Sequence, residues 1–186
     1  LDFELEVAIV LNRQGRNIPA AEADDYIGGF MIMNDLSART LQMEEMKLNL
    51  GPAKGKDFAT ALGPWLVTPD ELSLYRVDTP AGHIGQTHDL KMSCRINGKE
   101  VSRGSLEEMH WTFAEIIERA SYGVDLYPGD IIGSGTVGTG CFLELNGTGK
   151  LRDPADYVEQ WLQPGDHIEM EVSGLGVLSN RVLLNE

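Results

Sequence analysis

Leu1-Asp-Phe-Glu-Leu-Glu-Val7 and, further along, Met33-Asn-Asp-Leu-Ser-Ala-Arg39 are the segments on which the reading of this chain turns. The first alternates apolar Leu1, Phe3, Leu5 and Val7 with acidic Asp2, Glu4 and Glu6, which is the period of a β-strand. The apolar run Val7 to Leu11 continues it as a strand buried on both faces. Side chains at i and i+2 of a strand share a face, so Glu4 and Glu6 present their carboxylates side by side. Phe30 to Asn34 reads as a second short strand that delivers Asp35 at its end. Two readings stay open. Glu4, Glu6 and Asp35 are ligands for a hard divalent ion, Mg2+ or Mn2+ rather than zinc because no Cys or His joins them. Alternatively, the acidic residues are the wet face of a half-buried strand.

Working outward, Arg13-Gln-Gly-Arg16 is a turn, and Pro19 to Tyr26 is a short helix with Gly28-Gly29 beyond its end. Ser37 to Leu48 reads as helical, Gly51 to Phe58 as a loop, and Trp65 to Val67 as a strand closed by Thr68-Pro-Asp70. Asp89 to Asn97 alternates around Leu90, Met92, Cys94 and Ile96, and Asn97-Gly98 marks a hairpin turn. Ser105 to Ala120 is expected as a helix, with Ser105 as N-cap, Glu108 completing a capping box, and Met109, Phe113, Ile116 and Ile117 on its packed face. Pro-Gly-Asp turns at Pro128 and Pro164 launch the strands Ile131-Ile132 and His167 to Val172. Many short strands with two or three short helices describe a mainly β, α+β domain.

A chain of 186 residues is long enough for one domain with a sizeable core, and no linker-like composition divides it. With 42% hydrophobic residues, 21 Gly and 8 Pro, it reads as globular and rich in turns. A formal net charge of -14 and the lack of a basic run argue against a nucleic-acid partner. No apolar stretch reaches the length of a membrane span, and no signal peptide precedes the first strand. Cys94 and Cys141 have neither metal-ligand nor framework spacing, so free thiols and a cytoplasmic location are expected. Because the chain begins without Met on the candidate ligand strand, an upstream segment is expected to be missing from it. Asn146-Gly-Thr148 has the form of a glycosylation site and is read as chance.

Gly51 to Lys56 departs from a phosphate-binding loop, since three residues separate the glycines and Asp57 follows the lysine. Lys56 is then either a solvated loop residue or a cation placed beside a metal. His83, His88, His110 and His167 are scattered and read as structural or surface residues, and no G-x-S-x-G elbow points to a serine nucleophile. Gly133-Ser-Gly-Thr136 follows a strand; it is a loop whose amides approach a ligand, or a tight turn without one.

Taken in order, Glu4-x-Glu6, Asn34-Asp-Leu-Ser-Ala-Arg39, Gly51-Pro-Ala-Lys-Gly-Lys-Asp-Phe58, Gly63-Pro-Trp65, Tyr127-Pro-Gly-Asp130 and Gly133-Ser-Gly-Thr136 resemble the C-terminal catalytic domain of the fumarylacetoacetate hydrolase family. The resemblance covers nearly the whole chain and implies a mixed β-roll over residues 1–186, a homodimer, and Mg2+ or Mn2+ held by Glu4, Glu6 and Asp35. It implies Lys56, Arg39 and Glu144 as catalytic residues, with Glu144 in the water-activating network. Arg39, Gln42, Gly135 and Thr136 would bind a small oxo-acid substrate, and Thr60 would lie near the metal. The implied activity is hydrolysis of a carbon–carbon bond in a small β-diketo or acylpyruvate-type acid of aromatic or amino-acid catabolism. The alternative on the same site is decarboxylation, isomerisation or hydration of a 2-oxo diacid, and a third is a non-catalytic binding homologue. Three departures bear on the reaction. Met46 stands where the hydrolase has a tyrosine, Thr40 replaces an aspartate, and Val137-Gly-Thr139 differs from the Pro-Ser-Gly of several relatives. The histidine base of hydrolytic members also belongs upstream of the first ligand strand.

Overall fold

The computed structural model describes residues 1–184; the last two positions of the expected domain lie outside the described residues. The strands in chain order are β1 (Leu5–Leu11), β2 (Gly15–Arg16), β3 (Ile27–Asn34), β4 (Ala61–Val67), β5 (Arg76–Val77) and β6 (Thr87–His88). They continue as β7 (Lys91–Ile96), β8 (Lys99–Ser105), β9 (Asp125–Leu126), β10 (Ile131–Gly133), β11 (His167–Val172) and β12 (Gly176–Arg181). The helices are α1 (Ala20–Ala23), α2 (Arg39–Glu45), α3 (Phe113–Ala120) and α4 (Phe142–Arg152). Two four-stranded sheets carry the fold, ordered β10-β1-β3-β4 and β12-β11-β7-β8, with β2-β9 and β5-β6 as small ribbons. The class is α+β and mainly β, as the sequence led us to expect.

Alternation along the first strand sets the layers. Phe3, Leu5, Val7 and Ile9 are fully buried in an apolar cluster that also takes Ile32 of β3, Met92 and Cys94 of β7, and Ile168 and Met170 of β11. That cluster joins the two sheets, and the Asn34 side-chain amide at the end of β3 donates to the Asn180 Oδ1 on β12, a further tie between them. The hairpin β7–β8 turns at Asn97 and Gly98, both at positive φ as a tight turn of this hand requires. Among the described residues no helix is long and apolar enough to cross a membrane. Cys94 and Cys141 are both free and buried. Asn146 is buried in α4, donating to the Gln160 carbonyl and accepting from the Tyr157 hydroxyl and the Gln160 amide, so the sequon is not displayed.

The helix expected over Ser105 to Ala120 is split. Ser105 ends β8, where it pairs with Lys91, and its hydroxyl donates to Asp89 Oδ1 at 2.6 Å. It caps only a single 3-10 turn, Leu106–Glu108. The helix proper starts at Phe113, where Thr112 and Glu115 form the reciprocal capping box. Two Ser/Thr-x-x-Glu signals therefore compete locally, and a tertiary bond to Asp89 decides between them. No expectation covered β5, β6, β9, β12 or α4, of which α4 is the longest. Gly147 and Gly149 argue against a helix there, yet a Cβ at Gly149 would stand 2.0 Å from the Tyr157 ring, so that glycine serves packing.

Candidate metal centre

The register of β1 on β3 builds the site. Leu5 lies opposite Asn34, so Glu4 sits across from Asp35, whose amide donates to the Glu4 carbonyl at 3.2 Å. On the other side β10 pairs with β1, Ala8 facing Gly133, and the chain then turns so that the Gly135 amide donates to Glu6 Oε2 at 3.0 Å. A Cβ on Gly133 would fall 2.6 Å from that same oxygen, so glycine is required for the carboxylate to pass. Glu4, Glu6 and Asp35 thus each offer an oxygen within 4.8 Å of the others. The wet-face reading fails here, because Glu4 and Glu6 are only 8% and 4% exposed.

Burial and mutual repulsion make this trio costly without a cation. Burial first, then the charges of Glu4 and Asp35, push the Glu6 carboxyl up to about 8 against the partial relief of the Gly135 amide and Lys56. Asp35 is also raised, by burial and by Glu4, although Lys56 opposes both. Glu4 goes the other way: burial raises it, but Lys56 and Arg39 outweigh burial and hold it below the usual carboxylate range. Lys56 Nζ donates to Glu4 Oε2 at 2.6 Å and to Asp35 Oδ2 at 2.7 Å. Three clustered oxygen donors with one lysine shared between two of them fit a hard divalent cation, which would relieve the charge that Lys56 leaves on Glu6.

Arg39 lies behind the trio and is engaged with protein groups. It is buried, donating from Nε to Asp2 Oδ2 at 2.8 Å and from Nη1 to Gln42 Oε1 at 2.9 Å, while Nη2 lies 2.8 Å from both Asp2 Oδ2 and Glu4 Oε1. In this structure the guanidinium therefore holds Glu4 and Gln42 in place. Asp2, not singled out in the sequence, is the hub behind it. This fully buried carboxylate also accepts from the Phe142 and Leu143 amides at 2.8 and 3.0 Å, the first turn of α4. The signal was present in the alternation of Asp2, Glu4 and Glu6, but alternation cannot tell a solvated face from one covered by distant chain.

Gly135 and Thr136 lie beside the trio and line a cleft of about 320 Å3. Glu144 sits on the first turn of α4, exposed, and accepts from the Thr139 amide at 2.7 Å; no hydrogen bond joins it to the trio. Thr60 is exposed just before β4, and Met46 is exposed in the turn after α2. Of the histidines, His88 is buried against Phe30, His83 pairs with Glu115, and His110 stacks edge-on with His83 and Trp111.

A family model described as fumarylacetoacetate hydrolase C-terminal matches residues 1–183. The chain belongs to the fumarylacetoacetate hydrolase family. It is similar to the mitochondrial oxaloacetate tautomerase of Rattus norvegicus, 35% identical over 185 residues, covering 98% of this chain and 50% of that protein. It is also 33% identical over 198 residues to the fumarylacetoacetase of Bos taurus, covering 91% of this chain and 47% of that one. The fumarylacetoacetate hydrolase of Exiguobacterium antarcticum superposes with a TM-score of 0.76 at 30% identity, over 100% of this chain and 57% of its own. This fumarylacetoacetate hydrolase-family chain therefore spans about half the length of the curated relatives it matches.

Proposed function

We propose that the chain is the catalytic domain of a divalent-metal-dependent enzyme that hydrolyses a carbon–carbon bond in a small acylpyruvate or related β-diketo acid. The observation that carries this reading is the buried trio Glu4, Glu6 and Asp35 with Lys56 shared between two of its members. A bound Mg2+ or Mn2+ would supply Lewis acidity to a chelating dicarbonyl. The chain's own groups do the rest. The ammonium of Lys56 has a third N–H beyond those given to Glu4 and Asp35, and it places positive charge where an enolate oxygen grows. Arg39 acts by positioning, since it clamps Glu4 and orients Gln42. Gln42 Nε2 has no protein partner among the described residues and can donate to a substrate oxygen, as can the Thr136 hydroxyl on the cleft wall. Glu144, exposed on α4, is assigned to the water-activating network.

Keto–enol isomerisation of a 2-oxo diacid is the second reading, favoured by the named activity of the rat relative that matches 98% of this chain. A homodimer in the cytoplasm completes the proposal; exposed Leu48, Leu50 and Phe58 between α2 and β4, with Trp65 and Leu66 of β4, supply apolar surface for a second copy. The test follows the ultraviolet absorbance of enolised acetylpyruvate, fumarylacetoacetate and oxaloacetate with metal and with chelator. Chelator-sensitive loss of the acylpyruvate supports hydrolysis, change with oxaloacetate alone moves the assignment to isomerisation or decarboxylation, and no change with any of them refutes both.

A further inference from the structure

The cleft beside the trio has a chemistry that the metal centre does not explain. Its walls are Met92, Leu106, Ile116 and Val137, all buried or half-buried, and it continues from Gly135 and Thr136 at the site to the Leu106–Trp111 segment. No lysine or arginine lines it. The carboxylate that does is Glu108, whose Oε2 stands 4.0 Å from where a Cβ on Gly138 would lie, and which makes no hydrogen bond or ion pair among the described residues. The connection to the trio is a single hydrogen bond: the Gly135 amide donates to Glu6 Oε2 at 3.0 Å, and the same backbone lines the cleft.

We infer that this cleft is the specificity pocket for the part of the substrate beyond its metal-chelating end, and that it selects an uncharged, apolar tail. The inference rests on the acylpyruvate reading above and names the tail that the site takes. Each methylene buried against Leu106, Ile116 and Val137 strengthens binding by about fourfold. A terminal carboxylate meets the opposite situation, because it must leave water for an apolar wall and approach Glu108 with no lysine or arginine to receive it, His110 being the one basic side chain on the lining. Repulsion across about 4 Å at the high effective dielectric of an open cleft contributes about fivefold, and the desolvation of the terminal carboxylate adds to it.

The experiment uses the complete protein with Mn2+ and three substrates that share one head: acetylpyruvate, butyrylpyruvate and succinylpyruvate. Turnover and calorimetric Kd are measured for each. The expected result is about tenfold tighter Kd and higher kcat/KM for butyrylpyruvate than for acetylpyruvate, and succinylpyruvate at least about tenfold poorer than butyrylpyruvate. Glu108→Arg is expected to narrow or invert the butyryl-to-succinyl ratio. Equal or better binding of succinylpyruvate by the native protein, or a ratio that Glu108→Arg leaves unmoved, overturns the inference. Failure of the activity reading looks different: no acid is consumed, while the Kd ratio still decides the cleft.

Discussion

Replacing Glu6 by Gln should remove the largest part of the loss of stability that rising pH causes in the metal-free protein. The carboxyl of Glu6 is raised from an ordinary 4.5 to about 8 by burial and by its two acidic neighbours. Between those values the folded chain keeps a proton that the unfolded chain has lost, so stability falls as pH rises through this window. At 1.36 kcal/mol per pH unit the full swing is about 5 kcal/mol, a large share of what holds a small domain together. Metal binding must displace the same proton, so affinity should weaken by about tenfold for each pH unit below about 8, and by about 100-fold at pH 6. The assay is urea unfolding in chelator at about pH 5, 6.5 and 8, for the native chain and for Glu6→Gln, with metal titrations at the same pH values. The native chain should lose stability relative to Glu6→Gln as pH rises, and metal should restore it only in the native chain. Parallel pH curves for the two proteins would refute the argument, since they would mean that Glu6 ionises freely or never ionises.

Four further outcomes follow from particular contacts. Lys56→Met should abolish turnover while metal binding persists, and should lower the thermal midpoint in chelator, where Lys56 is the cation shared by Glu4 and Asp35; unchanged turnover would remove it from the mechanism. Asp2→Ala should destabilise by about 3–5 kcal/mol in urea, because it leaves the buried Arg39 with one of its two carboxylate partners and strips two amides of α4 of their acceptor. Thr112→Ala should cost about 1 kcal/mol as the true N-cap of α3; a loss near zero would return the helix start to Ser105. Cys94, whose thiol burial pushes up to about 12, and Cys141, raised by burial as well, should react with a thiol reagent at pH 8 only after denaturant is added.

Much of the centre was legible because it depends on local geometry. Two acids at i and i+2, and a third at the end of a paired strand, need only the strand period and an antiparallel neighbour to meet, and Leu5 opposite Asn34 provides both. What was not legible depends on chain that arrives from far away. The amides of Phe142 and Leu143 turn Asp2 from an apparent surface acid into a buried hub, and they lie at the other end of the sequence. Arg39 looked free to grip a substrate carboxylate because its partner is thirty-seven positions upstream. The start of α3 misled for a related reason, since Ser105 and Thr112 satisfy the same local rule and only Asp89 separates them. In α4 the glycines that spoke against a helix answer to the Tyr157 ring instead.

Lys56 has a consequence for the life of the protein before it meets any ion. With its ammonium shared between Glu4 and Asp35, the chain carries its own interim counter-charge, and a proton on Glu6 leaves the trio with one net negative charge rather than three. On the metal-dependent reading, a newly made chain would fold around the acidic trio first and take up metal afterwards, by trading one proton for one ion. Maturation would then be an exchange at a finished site rather than a folding step that waits on metal supply.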